Sequence, residues 1–106
     1  MKNEKDQYDL IVASDVTGYF SNIELFLSLV LERLTDKGSF LFTIELGESD
    51  DNVSLLENAR FVYKEEFVSK LLLEKGFDIQ EKNKIPLRKE GIGFAQGVLY
   101  KVTKKI

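Results

Sequence analysis

The apolar positions of this chain fall into short runs and periodic stripes, and most of them name an element. The first is Tyr8-Asp-Leu-Ile-Val-Ala-Ser-Asp-Val16, where the apolar run Leu10 to Ala13 ends in the polar pair Ser14-Asp15. That is the pattern of a buried strand delivering a carboxylate to the crevice of an open α/β sheet, where ligands collect. Ile23, Phe26, Leu27, Val30, Leu31 and Leu34 then recur at helical spacing and form one stripe. Ser21 and Glu24 read as a capping box at the start of this helix, and Gly38 suits the left-handed position after its end. Ser39-Phe-Leu-Phe-Thr-Ile-Glu45 is almost wholly apolar and predicts a strand buried on both faces.

Leu46 to Asn58 is acidic, holds Gly47 and the run Glu48-Ser-Asp-Asp51, and reads as a surface loop. Phe67, Val68, Leu71 and Leu72 predict a second helix from about Lys64 to Lys75, ended by Gly76. Phe77 to Ile85 alternates only in part and predicts a half-exposed strand. Gly97 to Thr103 predicts the last strand, after a turn-rich connection from Pro86 to Gln96. The order is β-α-β-α-β-β. This is an α/β fold in a single domain over residues 1–106. The first three strands should be parallel, and the last two should form a C-terminal antiparallel hairpin at one end of the sheet.

Composition removes several kinds of chemistry. The chain has no cysteine and no histidine, which leaves no thiolate metal site and neither the commonest metal ligand nor the commonest general base. A zinc enzyme and a Ser-His-Asp hydrolase are not expected, and no metal partner is. A net charge of −3 lacks the clustered basic excess of a nucleic-acid binder. No apolar run reaches the ~20 residues needed to span a bilayer, and the start, Met-Lys-Asn-Glu-Lys-Asp, is polar and mixed in charge. The expectation is a soluble cytoplasmic protein with no membrane or nucleic-acid partner.

The order of strand, helix, strand after Gly38, long loop, helix ending in Gly76-Phe77 and terminal hairpin resembles the C-terminal half of a class I S-adenosylmethionine-dependent methyltransferase. Tyr8 to Val16 looks like that family's fourth strand. Leu34-Thr-Asp-Lys-Gly-Ser-Phe-Leu-Phe-Thr43 looks like its helix end and fifth strand, with Asp36-Lys37-Gly38 where Pro-Gly-Gly is usual. Arg60-Phe-Val-Tyr-Lys-Glu-Glu-Phe67, Glu74-Lys-Gly-Phe77, Leu87-Arg-Lys-Glu-Gly91 and Gly97 resemble a bacterial group of predicted methyltransferases often linked to tetratricopeptide repeats. Tyr63 stands where that group carries histidine, and Lys64 where it carries the helix-capping serine.

The resemblance implies a partial Rossmann-like sheet and S-adenosyl-L-methionine as the cofactor of the intact family. It implies that Asp15 and Val16 face the cofactor's methionine end, although Asp15 serves equally as a loop residue accepting backbone N–H bonds. Tyr19 sits at the mouth of the same crevice, and Phe20 reads as a staple against the first helical turns. Arg60, Tyr63 and Arg88 lie in the motif-like segments and could contact a substrate; the plain alternative for the arginines is a structural ion pair. Glu45 reads as a solvated strand end. The glycine-rich turn and the ribose-binding acid of the family's first half have no counterpart here. Gly91, Gly93 and Gly97 lack the strand-before, helix-after context of a cofactor loop. The chain alone is therefore expected to bind no cofactor and to be inactive. Its first strand, without the neighbour it has in a full domain, should be an apolar edge that pairs with a second copy or with a separate N-terminal half. The alternative function is a non-catalytic binding or assembly module.

Overall fold

The computed structural model describes residues 6–14, 22–47, 51–56, 60–90 and 93–105. Strand β1 (Tyr8–Ala13) leads to helix α1 (Ile23–Arg33) and then to the long strand β2 (Leu34–Glu45). Two short strands follow, β3 (Val53–Leu55) and β4 (Phe61–Tyr63). Helix α2 (Glu65–Lys75) and strands β5 (Phe77–Glu90) and β6 (Gly93–Lys104) complete the chain. The sheet order is β1-β2-β6-β5. β1 pairs with β2 in parallel, Ile11 beside Phe40 and Val12 beside Leu41. β6 runs antiparallel to both β2 and β5, so β5 points the same way as β1 and β2.

Both helices pack on one face of this sheet. α1 buries Ile23, Leu27 and Val30, and α2 buries Val68, Leu71 and Leu72. Beneath them lie Phe40, Phe42 and Ile44 of β2 with Val98, Tyr100 and Val102 of β6, all essentially without solvent contact. The period of two puts Leu10 and Val12, Leu41, and Leu99 and Lys101 on the other face. There Leu10 and Val12 are exposed, and a shallow groove of about 330 Å³ runs across β1, β2, β6 and β5. Only one face of the sheet is therefore covered by the described residues.

Local signals were right in kind and wrong in several details. The cap of α1 is Asn22, whose Oδ1 accepts the Leu25 N–H at 3.0 Å; Ser21 lies outside the described residues. Gly76 has φ +105° and its N–H returns to the Leu72 and Leu73 carbonyls, the left-handed helix end that the sequence indicates. Gly38 does not play that part. Helix α1 stops at Leu34 in extended backbone, and Gly76 is the positive-φ glycine among the described residues. A Cβ at Gly38 would lie 2.8 Å from Leu34 Cδ1 and 3.0 Å from the Asp9 carbonyl, so glycine is needed there for close approach to β1. The segment read as a surface loop contains β3, which pairs antiparallel with β4 through Ser54 and Val62. The connection read as turn-rich is mostly strand: β5 continues to Glu90 opposite Gly93, with irregularities at Ile79/Glu81 and Pro86/Arg88. A proline within it is tolerated because β5 is an edge strand among the described residues.

Candidate functional site at the carboxyl ends of β1 and β2

In an open α/β sheet the carboxyl ends of parallel strands form the ligand crevice. Here β1 ends at Ala13 with Ser14 exposed beyond it, and β2 ends at Glu45. The β3–β4 pair hangs from the same end. Tyr63 bridges to Leu46, and the Gly47 N–H donates to the Tyr63 carbonyl at 3.1 Å. Across the loop, the Leu56 N–H donates to the Arg60 carbonyl at 2.8 Å, and the Lys64 N–H to the Asn52 carbonyl at 3.0 Å. These bonds set Arg60 over the end of β2.

The result is a bidentate ion pair. Arg60 Nε donates to Glu45 Oε1 at 3.1 Å and Nη2 to Oε2 at 3.3 Å. The side chains are 23% and 10% exposed, so the pair is shielded enough to count for more than a surface contact. This corrects the reading of Glu45 as a solvated strand end. A lone acid closing an otherwise apolar strand needs a cation, and the chain supplies one from β4's approach. Gly97, the register partner of Glu45, is close-packed: a Cβ there would lie 2.5 Å from the Ile44 carbonyl.

Replacing Glu45 with glutamine should lower the unfolding free energy by about 1–2 kcal/mol, below the ~3–5 kcal/mol of a fully buried pair because Arg60 keeps some water. Urea denaturation measures it. The double change Glu45→Gln with Arg60→Met should recover part of the loss. Equal and additive losses would mean the two side chains are not coupled.

The sequence-based candidates fare differently. Arg60 is at the carboxyl edge, but engaged with Glu45. Tyr63 is fully buried in the core, and burial pushes its hydroxyl up to about 12. The backbone of Arg88 lies in β5 opposite Ala95. Asp15, Val16, Tyr19 and Phe20 fall outside the described residues. Among the described residues no group of three or more His, Cys, Asp or Glu side chains could hold a metal ion. No helix among them is long and apolar enough to cross a membrane.

No family model matches the sequence, and no curated protein matches it. Solved structures do. A methyltransferase from Clostridium acetobutylicum that depends on S-adenosylmethionine matches 100% of this chain over 62% of its own, at 18% identity and TM-score 0.69. The 1,6-didemethyltoxoflavin-N1-methyltransferase of Burkholderia thailandensis, solved with its substrate and S-adenosylhomocysteine, matches 100% of this chain over 47% of its own, at 13% identity and TM-score 0.75. An O-methyltransferase from a trans-AT polyketide synthase of Brevibacillus brevis, with S-adenosylhomocysteine, matches 98% over 48%, at 15% identity and TM-score 0.74. The fold is a methyltransferase fold. The chain spans between 47% and 62% of the length of these three structures.

The described residues do not by themselves fit the cofactor. Gly47 is the described glycine that follows a strand at this edge, and its open side is filled: a Cβ there would lie 2.8 Å from Val62 Cγ2. The acid at the edge, Glu45, is occupied by Arg60. Neither a backbone cradle nor a ribose-binding carboxylate is left among these residues.

Proposed function

We propose that this chain supplies the C-terminal, acceptor-facing wall of an S-adenosylmethionine-dependent methyl-transfer site, with the donor pocket built by residues other than these 106. The observation that carries the proposal is the match of essentially the whole chain to parts of methyltransferases solved with S-adenosylhomocysteine. In this reading Asp15 and Val16 meet the methionine end of the donor, while Tyr19, Arg60 and Arg88 meet the acceptor and Tyr63 supports them from the core. Arg60 is fixed by Glu45, so its guanidinium plane is oriented before any acceptor arrives. Catalysis of this kind rests on proximity and orientation, which half a cleft cannot provide.

Isothermal titration of the chain with S-adenosylmethionine and S-adenosylhomocysteine should therefore show no tight binding. A low-micromolar dissociation constant would refute the half-site reading. A coding sequence alongside this one that specifies a strand followed by Gly-x-Gly-x-Gly would support it directly. A second reading, a non-catalytic assembly module, is favoured by one observation, the exposure of Leu10 and Val12 on β1 among the described residues.

A further inference from the structure

Charge is divided unevenly along the chain. Residues 77–106, which contain β5 and β6, hold seven basic and three acidic residues, a net of +4. Residues 1–76 hold eight and fifteen, a net of −7. Strand register divides the β5–β6 hairpin once more. Val98 and Tyr100 lie on the face that carries the helices, so their partners Lys84 and Lys82 lie on that face too. Pro86 opposite Gln96, and Lys89 opposite Phe94, continue the same side. The three acids, Asp78, Glu81 and Glu90, stand opposite Thr103, Lys101 and Gly93, on the other face. The helix side of the hairpin thus carries lysines and no acid.

This basic side reaches the crevice. β2 stays paired with β6 as far as Glu45 opposite Gly97, whereas β5 and β6 stay paired as far as Glu90 opposite Gly93. Four more residues of β6 carry the hairpin about 13 Å past the end of β2. Lys82 is held by Glu65, in the first turn of α2, at 2.9 Å, so the helix covers the hairpin only to that level. Beyond it Lys84, Pro86 and Gln96 are exposed. The other charges around this end are matched. Arg60 is closed on Glu45, and Glu66 shares a groove with Lys64 and Lys70.

We propose that the methyl acceptor is a short polyanion, bearing two or more carboxylate or phosphate groups, drawn into the crevice along this face by Lys84 and Lys89. Calling the ligand the acceptor rests on the methyl-transfer reading; the anion site itself rests on the hairpin. An anion is repelled by the acidic remainder of the molecule and attracted at the hairpin, so the field steers it to one side of the crevice. Lysine offers a point charge on a flexible stem, which suits carboxylate and phosphate alike. A long nucleic acid would also lie across the acidic remainder, which restricts the ligand to a short one.

Titration of the full chain at low salt with tetraglutamate and with inorganic tripolyphosphate, followed by amide NMR, tests this. Saturable shifts should centre on Lys84, Gln96, Gly97 and Val98 and weaken as salt is raised. A response to tetraglutamate alone identifies a carboxylate acceptor, and one to tripolyphosphate alone a phosphorylated one. Lys84→Glu/Lys89→Glu should stay folded by circular dichroism and bind at least ~10-fold more weakly. Lys37→Glu/Lys105→Glu makes the same change in net charge with exposed residues at the opposite end of the sheet, and should bind within about twofold of the parent. Overturning results are no saturable shift with either anion, shifts centred away from the hairpin, or equal weakening by both double variants. Anion binding here needs no methyl donor. Tight binding of S-adenosylmethionine would therefore sink the half-site reading and leave this site standing, while a hairpin that ignores both anions sinks this inference alone.

Discussion

Phe40→Ala is expected to destabilise the protein by about 3–5 kcal/mol, the usual cost of deleting a fully buried aromatic ring. Phe40 has no solvent contact and sits where both layers meet. Its ring stacks on Phe42 at 4.7 Å, meets Phe26 of α1 edge-on at 5.9 Å and lies 6.4 Å from Phe77. Phe42 stacks in turn on Tyr100 at 5.0 Å. Truncation removes the ring that links α1, β2 and β5, and a wall of planar rings cannot collapse to fill the hole. Small domains are stable by only ~5–15 kcal/mol, so the variant should be near its folding threshold at 37 °C. Urea denaturation reads the change as a lower midpoint at unchanged slope. A loss under about 1 kcal/mol would show that this ring is not central to the core.

Alkali should unfold the protein through two tyrosines. Burial pushes Tyr63 and Tyr100 up from 10.0 to about 12; for Tyr100 the hydrogen bond with Ser69 Oγ at 2.8 Å offsets part of this and the nearby Glu65 charge adds to it, while its hydroxyl donates to the Glu65 carbonyl at 3.3 Å. The folded state holds these protons more tightly than the unfolded state. Their contribution is therefore intact below pH 10 and is lost as pH rises through about 12. At about 1.4 kcal/mol per pKa unit, each tyrosine contributes on the order of 2–3 kcal/mol across that window. Unfolding free energies measured from neutral pH to pH 12 should be level at first and then fall. Tyr100→Phe should cost about 1 kcal/mol at neutral pH through its lost hydrogen bonds, yet flatten the alkaline fall. A variant falling as steeply as the parent would place the linked protons elsewhere.

How far the sequence was legible depended on the range of the interaction. Stripes such as Ile23, Leu27 and Val30 were readable because helical neighbours lie a few residues apart. The same holds for Gly76, whose left-handed geometry is required by the helix it ends. Gly38 was misread because the atom it must avoid, the Asp9 carbonyl, belongs to a distant strand. Glu45 was misread for the same reason: its partner, Arg60, is brought to it by the β3–β4 pair, whose three-residue strands are too short to show a period. At the candidate site the end of β1 was readable from the apolar run Leu10 to Ala13 closing in the polar pair Ser14-Asp15. Which side chains there are engaged with each other was not.

The sequence by itself determined the two helices and the four strands of the larger sheet, the absence of histidine and cysteine chemistry, and the apolar character of β1, because each follows from residue type and short-range spacing. The tertiary structure decided that β6 inserts between β2 and β5, that Tyr63 turns into the core, and that Arg60 closes on Glu45. Those outcomes depend on which distant segments come within hydrogen-bonding reach, and burial and pairing of that kind are fixed only when the layers pack.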